Sequence, residues 1–334
     1  MKGLFLVVCL CLTQYMVQGQ VKQYYHKDPE GMLEQQSKIL FEQAYKILDA
    51  YPPDTLQVDE RKLALSALDG LLHDTRLDTS RAVKNYFKGN VDRIIDSLGK
   101  NTADRGVRIF KVYNHGFILK SKSVTIAIDI VRGGRYKYID EDQIQKLVDL
   151  SDILFVSHYH GDHADPMVAE MFVRQGKKVI VPSGLWENKS DGYIHLRNTN
   201  SYLTTTIELD RRRKLGVDVF PGHQKDVLNN IYAITLPESI TITHTGDQSN
   251  KNDLSWIKEM KNRVTTDVLL LHCWTPNLKE VVEGIDPRLI VTGHENELGH
   301  SIDHREPYWL TYEKMKAVSK PYIIMAWGEI YHYK

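Results

Sequence analysis

The stretch "DILFVSHYHGDHADP", residues 152–166, decides how the rest of the chain is read. Ile153 to Val156 is short and apolar, in the manner of a buried strand. Directly after Ser157 come His158, His160, Asp162 and His163, with Gly161 free to turn the backbone between them. Imidazole nitrogens and carboxylate oxygens are the donors that Zn²⁺ and similar divalent ions accept. A loop leaving a buried strand can aim these four side chains into one space; a surface loop that is merely polar has no need of that order. Pro166 then opens "PMVAEMFVRQG", whose spacing predicts a helix, and "KKVIVP" predicts the next strand.

Working outward, "VRIFKVYNHGFILKSKSVTIAIDI" (residues 107–130) reads as two or three strands, with turns at Asn114-His115-Gly116 and Ser121-Lys122-Ser123. "DEDQIQKLVDL" predicts a helix. Further strands are expected in "SYLTTTIELD", "LGVDVFPG", "NIYAITL", "SITITHTGD", "TDVLLLHC", "RLIVTG" and "YIIMAWGEIY". Helices are expected in "LSWIKEMKNR", "LKEVVEGI" and "YWLTYEKMKAVS". Strands come in runs early and alternate with helices later, which fits a layered α/β sandwich better than a doubly wound sheet. Residues 30–99 carry helical spacing throughout: Pro52-Pro53 interrupts it, Asp54 restarts it, a third helix begins after Asp78 or Thr79, and Gly99 closes it. The chain is thus expected to hold a helical segment over residues 20–105 and the sandwich over 106–334.

One loop cannot complete two metal shells, so partners are expected at other strand ends. His223 follows "VDVFPG", His244 and Asp247 lie in "ITITHTGD", His272 follows "DVLLL", and His294 follows "LIVTG". In this order and spacing, over roughly residues 107–334, the sequence resembles the metallo-β-lactamase superfamily. The resemblance implies an α/β fold of the αββα four-layer sandwich type, with the site at one edge between the sheets. It implies that His158, His160 and His223 hold one metal, that Asp162, His163 and His294 hold a second, and that Asp247 bridges them. An aspartate at position 247 resembles the lactonase, glyoxalase and phosphodiesterase-like branches; secreted zinc β-lactamases most often place a cysteine there. "VYNHGFILKSKSVTIAID" resembles the opening strands of the branch with ascorbate-6-phosphate lactonase and N-acyl-phosphatidylethanolamine phospholipase D, although Asn114-His115 stands where that branch has Gly-His. Residues 30–99 lie outside the resemblance.

The expected function is an exported dinuclear metal-dependent hydrolase acting on an ester, lactone, amide or phosphodiester bond of a small-molecule or lipid-like substrate. Zn²⁺ is the first expectation for the two divalent metal ions because histidine dominates; Fe or Mn are alternatives because carboxylates contribute. Such a pair shares a hydroxide whose parent water has its pKa lowered to about 7. Asp162 is expected both to ligate and to hydrogen-bond the nucleophile. His272 and His115 are candidate proton sources, and Asp129 is a candidate to orient a ligand imidazole. In "HENELGHSIDH", His300 is an alternative to His294. Cys273 beside His272 is not read as a nucleophile pair, because strand neighbours point to opposite faces. Trp274, Trp309 and Trp327 are expected in the core rather than in a substrate groove. The alternatives are a metal-binding protein without catalysis, and a β-lactam hydrolase, which Asp247 fits poorly.

Lys+Arg and Asp+Glu both number 43 in the 334 residues, so no basic excess points to nucleic acid. Lys2 followed by the apolar run Leu4–Leu12 reads as a secretory signal cleaved after Gly19, the run being too short to span a membrane. A periplasmic or secreted protein is therefore expected. Cys9 and Cys11 fall within that signal, which leaves Cys273 alone and no intrachain disulfide.

Overall fold

The computed structural model describes residues 28–100, 105–189, 191–196 and 202–334. The expected signal, residues 1–19, lies outside them. Two seven-stranded sheets face each other. The first contains β1 (Val107–Tyr113), β2 (Gly116–Lys120), β3 (Thr125–Ile128), β4 (Ile153–Phe155), β5 (Lys178–Pro182) and β6 (Tyr193–Leu196), with the last strand, β14 (Ile330–Tyr333), beside β1. The second runs from β7 (Leu203–Glu208) through β8 (Lys214–Gln224), β9 (Val227–Thr235), β10 (Thr241–His244), β11 (Val268–His272) and β12 (Leu289–Gly293) to β13 (Tyr322–Ile323). In each sheet an antiparallel part gives way to a parallel one: β3 to β6 in the first, β10 to β13 in the second.

Side-chain alternation puts one face of each sheet into a shared core. Ile109, Phe117, Ile126 and Phe155 from the first sheet meet Val217, Tyr232, Ile242, Leu270 and Val291 from the second. The outer face of the first sheet is covered by α4 (Glu141–Asp149), α5 (Pro166–Arg174) and the end of α3 (Arg81–Leu98), through residues such as Ile144, Phe172 and Ile94. The outer face of the second is covered by α6 (Leu254–Ile257), α7 (Leu278–Ile285) and Met315 of α8 (Tyr308–Met315). Each such side chain, once buried, contributes about 1.5–3 kcal/mol. The result is the expected αββα sandwich.

The helical segment, α1 (Pro29–Ala50), α2 (Asp59–Leu72) and α3, packs onto the sandwich. Phe41, Leu48, Leu65, Leu68 and Phe87 share a core with Tyr113, Tyr138, Tyr308, Ile324 and Trp327. Some local expectations are corrected. Asp54 does not cap α2, which starts after Val58; its Oδ1 accepts from Leu56 N in the preceding turn. The cap of α3 is Ser80, whose Oγ accepts from Val83 N at 3.1 Å, because Asp78 is engaged by Arg305. "YIIMAWGEIY" is not one strand. Gly328, at φ +86, turns the chain, Trp327 is drawn into the helical core, and the two halves become β13 and β14 in different sheets. Strand β6 was not foreseen; too short to show alternation, it forms by parallel pairing with β5. Among the described residues no helix is long and apolar enough to cross a membrane.

This topology gathers the chemistry at one edge. The carboxyl ends of β3, β4, β10, β11 and β12 and the β1–β2 and β8–β9 turns all open there. The sheets are stitched together beside them by Asn230 N donating to Ser157 O and Tyr232 Oη to Val156 O, both at 2.9 Å.

Candidate metal centre

Two groups of ligand atoms converge at that edge. Asp162, His163, Asp247 and His294 form one; His158, His160 and Asp247 form the other, and within each group the atoms lie within 4.8 Å of one another. Asp247 belongs to both. Its Oδ1 is 3.2 Å from His163 Nε2, and its Oδ2 is 3.3 Å from His294 Nε2 and 3.8 Å from His158 Nε2. Asp162 Oδ2 lies 3.1 Å from His163 Nε2 and 3.3 Å from His294 Nε2. His158 Nε2 and His160 Nδ1 are 3.1 Å apart. The Nε2 atoms of His163 and His294 and Oδ1 of Asp247 are buried yet have no hydrogen-bond partner. Close but misaligned donors around one buried and one half-buried carboxylate suit a cation, because such charges are costly inside a protein unless paired.

The local backbone aims these groups. Asp129 ends the β3 run at φ +51 and accepts from His163 Nδ1 at 2.8 Å, from Ser157 N at 2.7 Å and from Ser157 Oγ at 2.6 Å. A carboxylate on Nδ1 leaves Nε2 as the ligand atom and fixes the ring. Gly246 takes φ +52, where a Cβ would strike Asn229 Oδ1 and Ser157; Asn229 Oδ1 accepts from Asp247 N at 3.0 Å. Asn114 holds two members of these groups at once, donating Nδ2 to Asp162 Oδ2 at 2.8 Å and accepting His294 N on its carbonyl at 3.0 Å. His294 (φ +78) and Asn296 (φ +59) are both left-handed. Non-glycine residues in that region cost about 1–3 kcal/mol each and persist where their surroundings over-determine them.

Protons balance the charge when no cation is bound. Burial opposes charge on His294, but Asp247 and Asp162 outweigh it and push its pKa up to about 10; His163 is likewise raised well above the usual histidine range. The two aspartates are held well below the carboxylate range because the imidazolium partners outweigh burial. His158 is pushed down to about 3, by burial and then by His163, so it offers the neutral form that ligation needs.

No protein-family model matches the sequence, and no curated protein sequence matches it. Solved structures do match. The metallo hydrolase Igni18 from the archaeon Ignicoccus hospitalis KIN4/I is similar over 69% of this chain and 100% of its own, with 17% identity and a TM-score of 0.54. A possible metal-dependent hydrolase from Veillonella parvula DSM 2008 is similar over 69% of this chain and 100% of its own, with 13% identity and a TM-score of 0.50. The fold is the metallo-β-lactamase fold.

Within the metallo-β-lactamase fold, the structure brings together His158, His160, Asp162, His163, Asp247 and His294. It does not bring His223 into either group. The His223 Nδ1 lies 3.1 Å from Asp253 Oδ1, the same kind of contact that Asp129 makes with His163 Nδ1, and the next residue, Gln224, donates Nε2 to Asp247 Oδ2 at 3.0 Å. Gln224, Asn114 and Asn229 were not expected at the site. Gln224 had a signal, its place beside a suspected ligand; Asn229 had none. His300 stands aside, its Nδ1 on His304 O at 3.2 Å and its ring stacked on Trp274. His115 and His272 do reach the site, but they are enclosed behind Asp247: His272 Nε2 is 3.6 Å and His115 Nδ1 3.8 Å from its Oδ1, and the residues are 1% and 0% exposed. His244 donates Nε2 to His115 O and accepts from Gly246 N, so both its nitrogens are engaged away from the ligand groups. Trp327 is fully buried, as expected; Trp309 is half exposed, and Trp274 lies against His294 at the site.

Proposed function

We propose that this chain is a metal-dependent hydrolase that holds two divalent cations, zinc foremost, and that it is exported. The observation that carries the first part is the sharing of Asp247 between two convergent groups of ligand atoms. The name of Igni18, a metallo hydrolase of the same fold, agrees with it. His158, His160 and Asp247 would hold one cation, and Asp162, His163, His294 and Asp247 the other. When bound, such cations supply Lewis acidity and a water acidified to near neutral pH.

The chain's own residues then orient. Asp162 is half-buried while His163 and His294 are buried, so it is the member of its group placed to align an attacking water. Asn114 fixes its carboxylate. Gln224 and Asn229 fix Asp247. His115 and His272 are enclosed behind Asp247, close to its Oδ1 but beyond hydrogen-bond distance, so neither is placed to reach a leaving group, whose proton comes from the open side. The bond attacked is an ester, lactone, amide or phosphodiester. Export rests on Lys2 and the Leu4–Leu12 run.

One preparation tests both parts: the protein recovered from the exported fraction, its first residue determined, its metal content measured, and its activity screened over lactones, amides, phosphodiesters and β-lactams. The expected result is a chain starting at Gln20 with two ions, of which Asp247→Ala loses at least one together with more than about a hundredfold of activity, above the cost of losing an outer contact. Fewer than one ion per chain and no activity after reconstitution would sink the hydrolase reading.

A further inference from the structure

The loop that carries His294 is tied down by the helical segment, not by the sandwich alone. Asp69, in α2 and only 5% exposed, accepts from Asn296 Nδ2 at 2.9 Å, from Tyr308 N at 2.7 Å and from Trp309 N at 3.1 Å. Asn296 is two residues past His294, and both residues are left-handed. Farther along the same loop, Arg305 clamps Asp78 with both terminal nitrogens, at 2.8 and 2.6 Å, while its Nε donates to His300 O and its Nη2 to Leu298 O. His73 Nε2 meets Arg305 O at 2.9 Å. The loop is therefore gripped at both ends by side chains from residues 69–78.

We propose that Asp69 is a positioning residue for the metal centre: through Asn296 and the amides of Tyr308 and Trp309 it sets the left-handed backbone that points His294 at Asp162 and Asp247. This rests on the two-cation reading above and deepens it. The sandwich supplies the ligands at its strand ends, and the helical segment supplies the last ligand's direction. A carboxylate suits the task because three N–H donors converge on it. An asparagine of the same shape would turn an amide NH₂ toward them. The dependence is selective. His158 and His160 leave β4 and are oriented by Ser157 and by each other, and among the described residues no hydrogen bond ties either ring to the helical segment.

The test is a titration of the metal-free full chain with Co²⁺, read by its absorption, and with Zn²⁺ against a chromophoric chelator, beside thermal melts. Asp69→Asn is expected to weaken one of the two sites about 10–100-fold, the usual cost of removing an outer-shell partner, and to leave the other at its wild-type affinity. Glu329→Gln is the comparison for simple destabilisation. It disrupts the buried pair with Arg61 (2.7 Å to Oε1) on the same interface but away from this loop, and is expected to lower the melting temperature with both affinities unchanged. Asp69→Asn/Asn296→Asp, which exchanges the partners, is expected to recover part of the lost affinity. If Asp69→Asn does not fold, Asn296→Ala carries the same one-site expectation, because it leaves the bonds to Tyr308 and Trp309 in place. Wild-type affinity at both sites in a folded variant overturns the proposal. So does equal weakening of both sites in step with the melting temperature. Wild-type protein that takes fewer than two ions overturns the parent reading and this one together, and it does so before any substitution is made.

Discussion

Each oxygen of Asp247 answers to a different side of the site, and this makes its neighbourhood sensitive to pH. In the metal-free protein the negative charge of Asp162 and Asp247 is met by protons on His163 and His294. The histidine pKa values are raised on folding, so their contribution is complete below the unfolded value of about 6.5 and is lost as pH rises through the folded values, about 10 for His294. The aspartates are depressed, so theirs is present above about 3.9 and is lost as pH falls through lower values. The melting temperature of the metal-free protein is therefore expected to fall from neutral pH toward pH 10. Cation uptake has the opposite sign: the two imidazoles must give up protons to ligate, so affinity rises over that window and binding releases about two protons. Calorimetry in buffers of different ionisation enthalpy measures this number. Tight binding with no proton release would remove His163 and His294 from the ligand set.

Strand β1 carries a cost of its own. Lys111 is fully buried, donating to Glu295 Oε2 at 2.5 Å and to Thr292 O at 3.2 Å; Glu295, equally buried, also accepts from Thr292 Oγ1. Removing one partner of such a pair leaves an uncompensated charge and costs about 3–5 kcal/mol. Lys111→Met is expected to destabilise by that much in denaturant melts, and Lys111→Met/Glu295→Gln to recover part of it; a Lys111→Met protein as stable as wild type would show that the pair contributes nothing to stability. Elements also show how far the sequence could be read. The strand, the His158–His163 loop and α5 were legible because their signals are local: an apolar run, a turn, a helix-opening proline. Strand ends at Asp247 and His294 were legible because a polar residue directly follows an apolar run. What failed depended on distant partners. Asp78 resembles a cap, but Arg305 takes it. The last apolar stretch resembles one strand, but the helical core claims Trp327 from its middle.

At the scale of the molecule, the helices and the sandwich share a core of their own, apart from the one between the sheets. Phe87 stacks on Tyr138 with centroids 4.5 Å apart and lies 4.8 Å from Trp327. A chain beginning at Arg105 would leave Tyr308, Ile324 and Trp327 without these neighbours. It is expected to bind a hydrophobic dye and to melt without a sharp transition; a cooperative melt with wild-type metal uptake would show the helices to be dispensable. The same contacts have a consequence in time. Tyr45 bonds to the carbonyl of Trp327, 282 positions away, Arg61 reaches Glu329 across 268, and Asp69 reaches Tyr308 across 239. At synthesis rates of about 5–20 residues per second, the helices wait on the order of tens of seconds for their partners to be made. During that interval Tyr45, Arg61 and Asp69 lack the partners they have in the finished fold, so a segment made early is among the last to be completed.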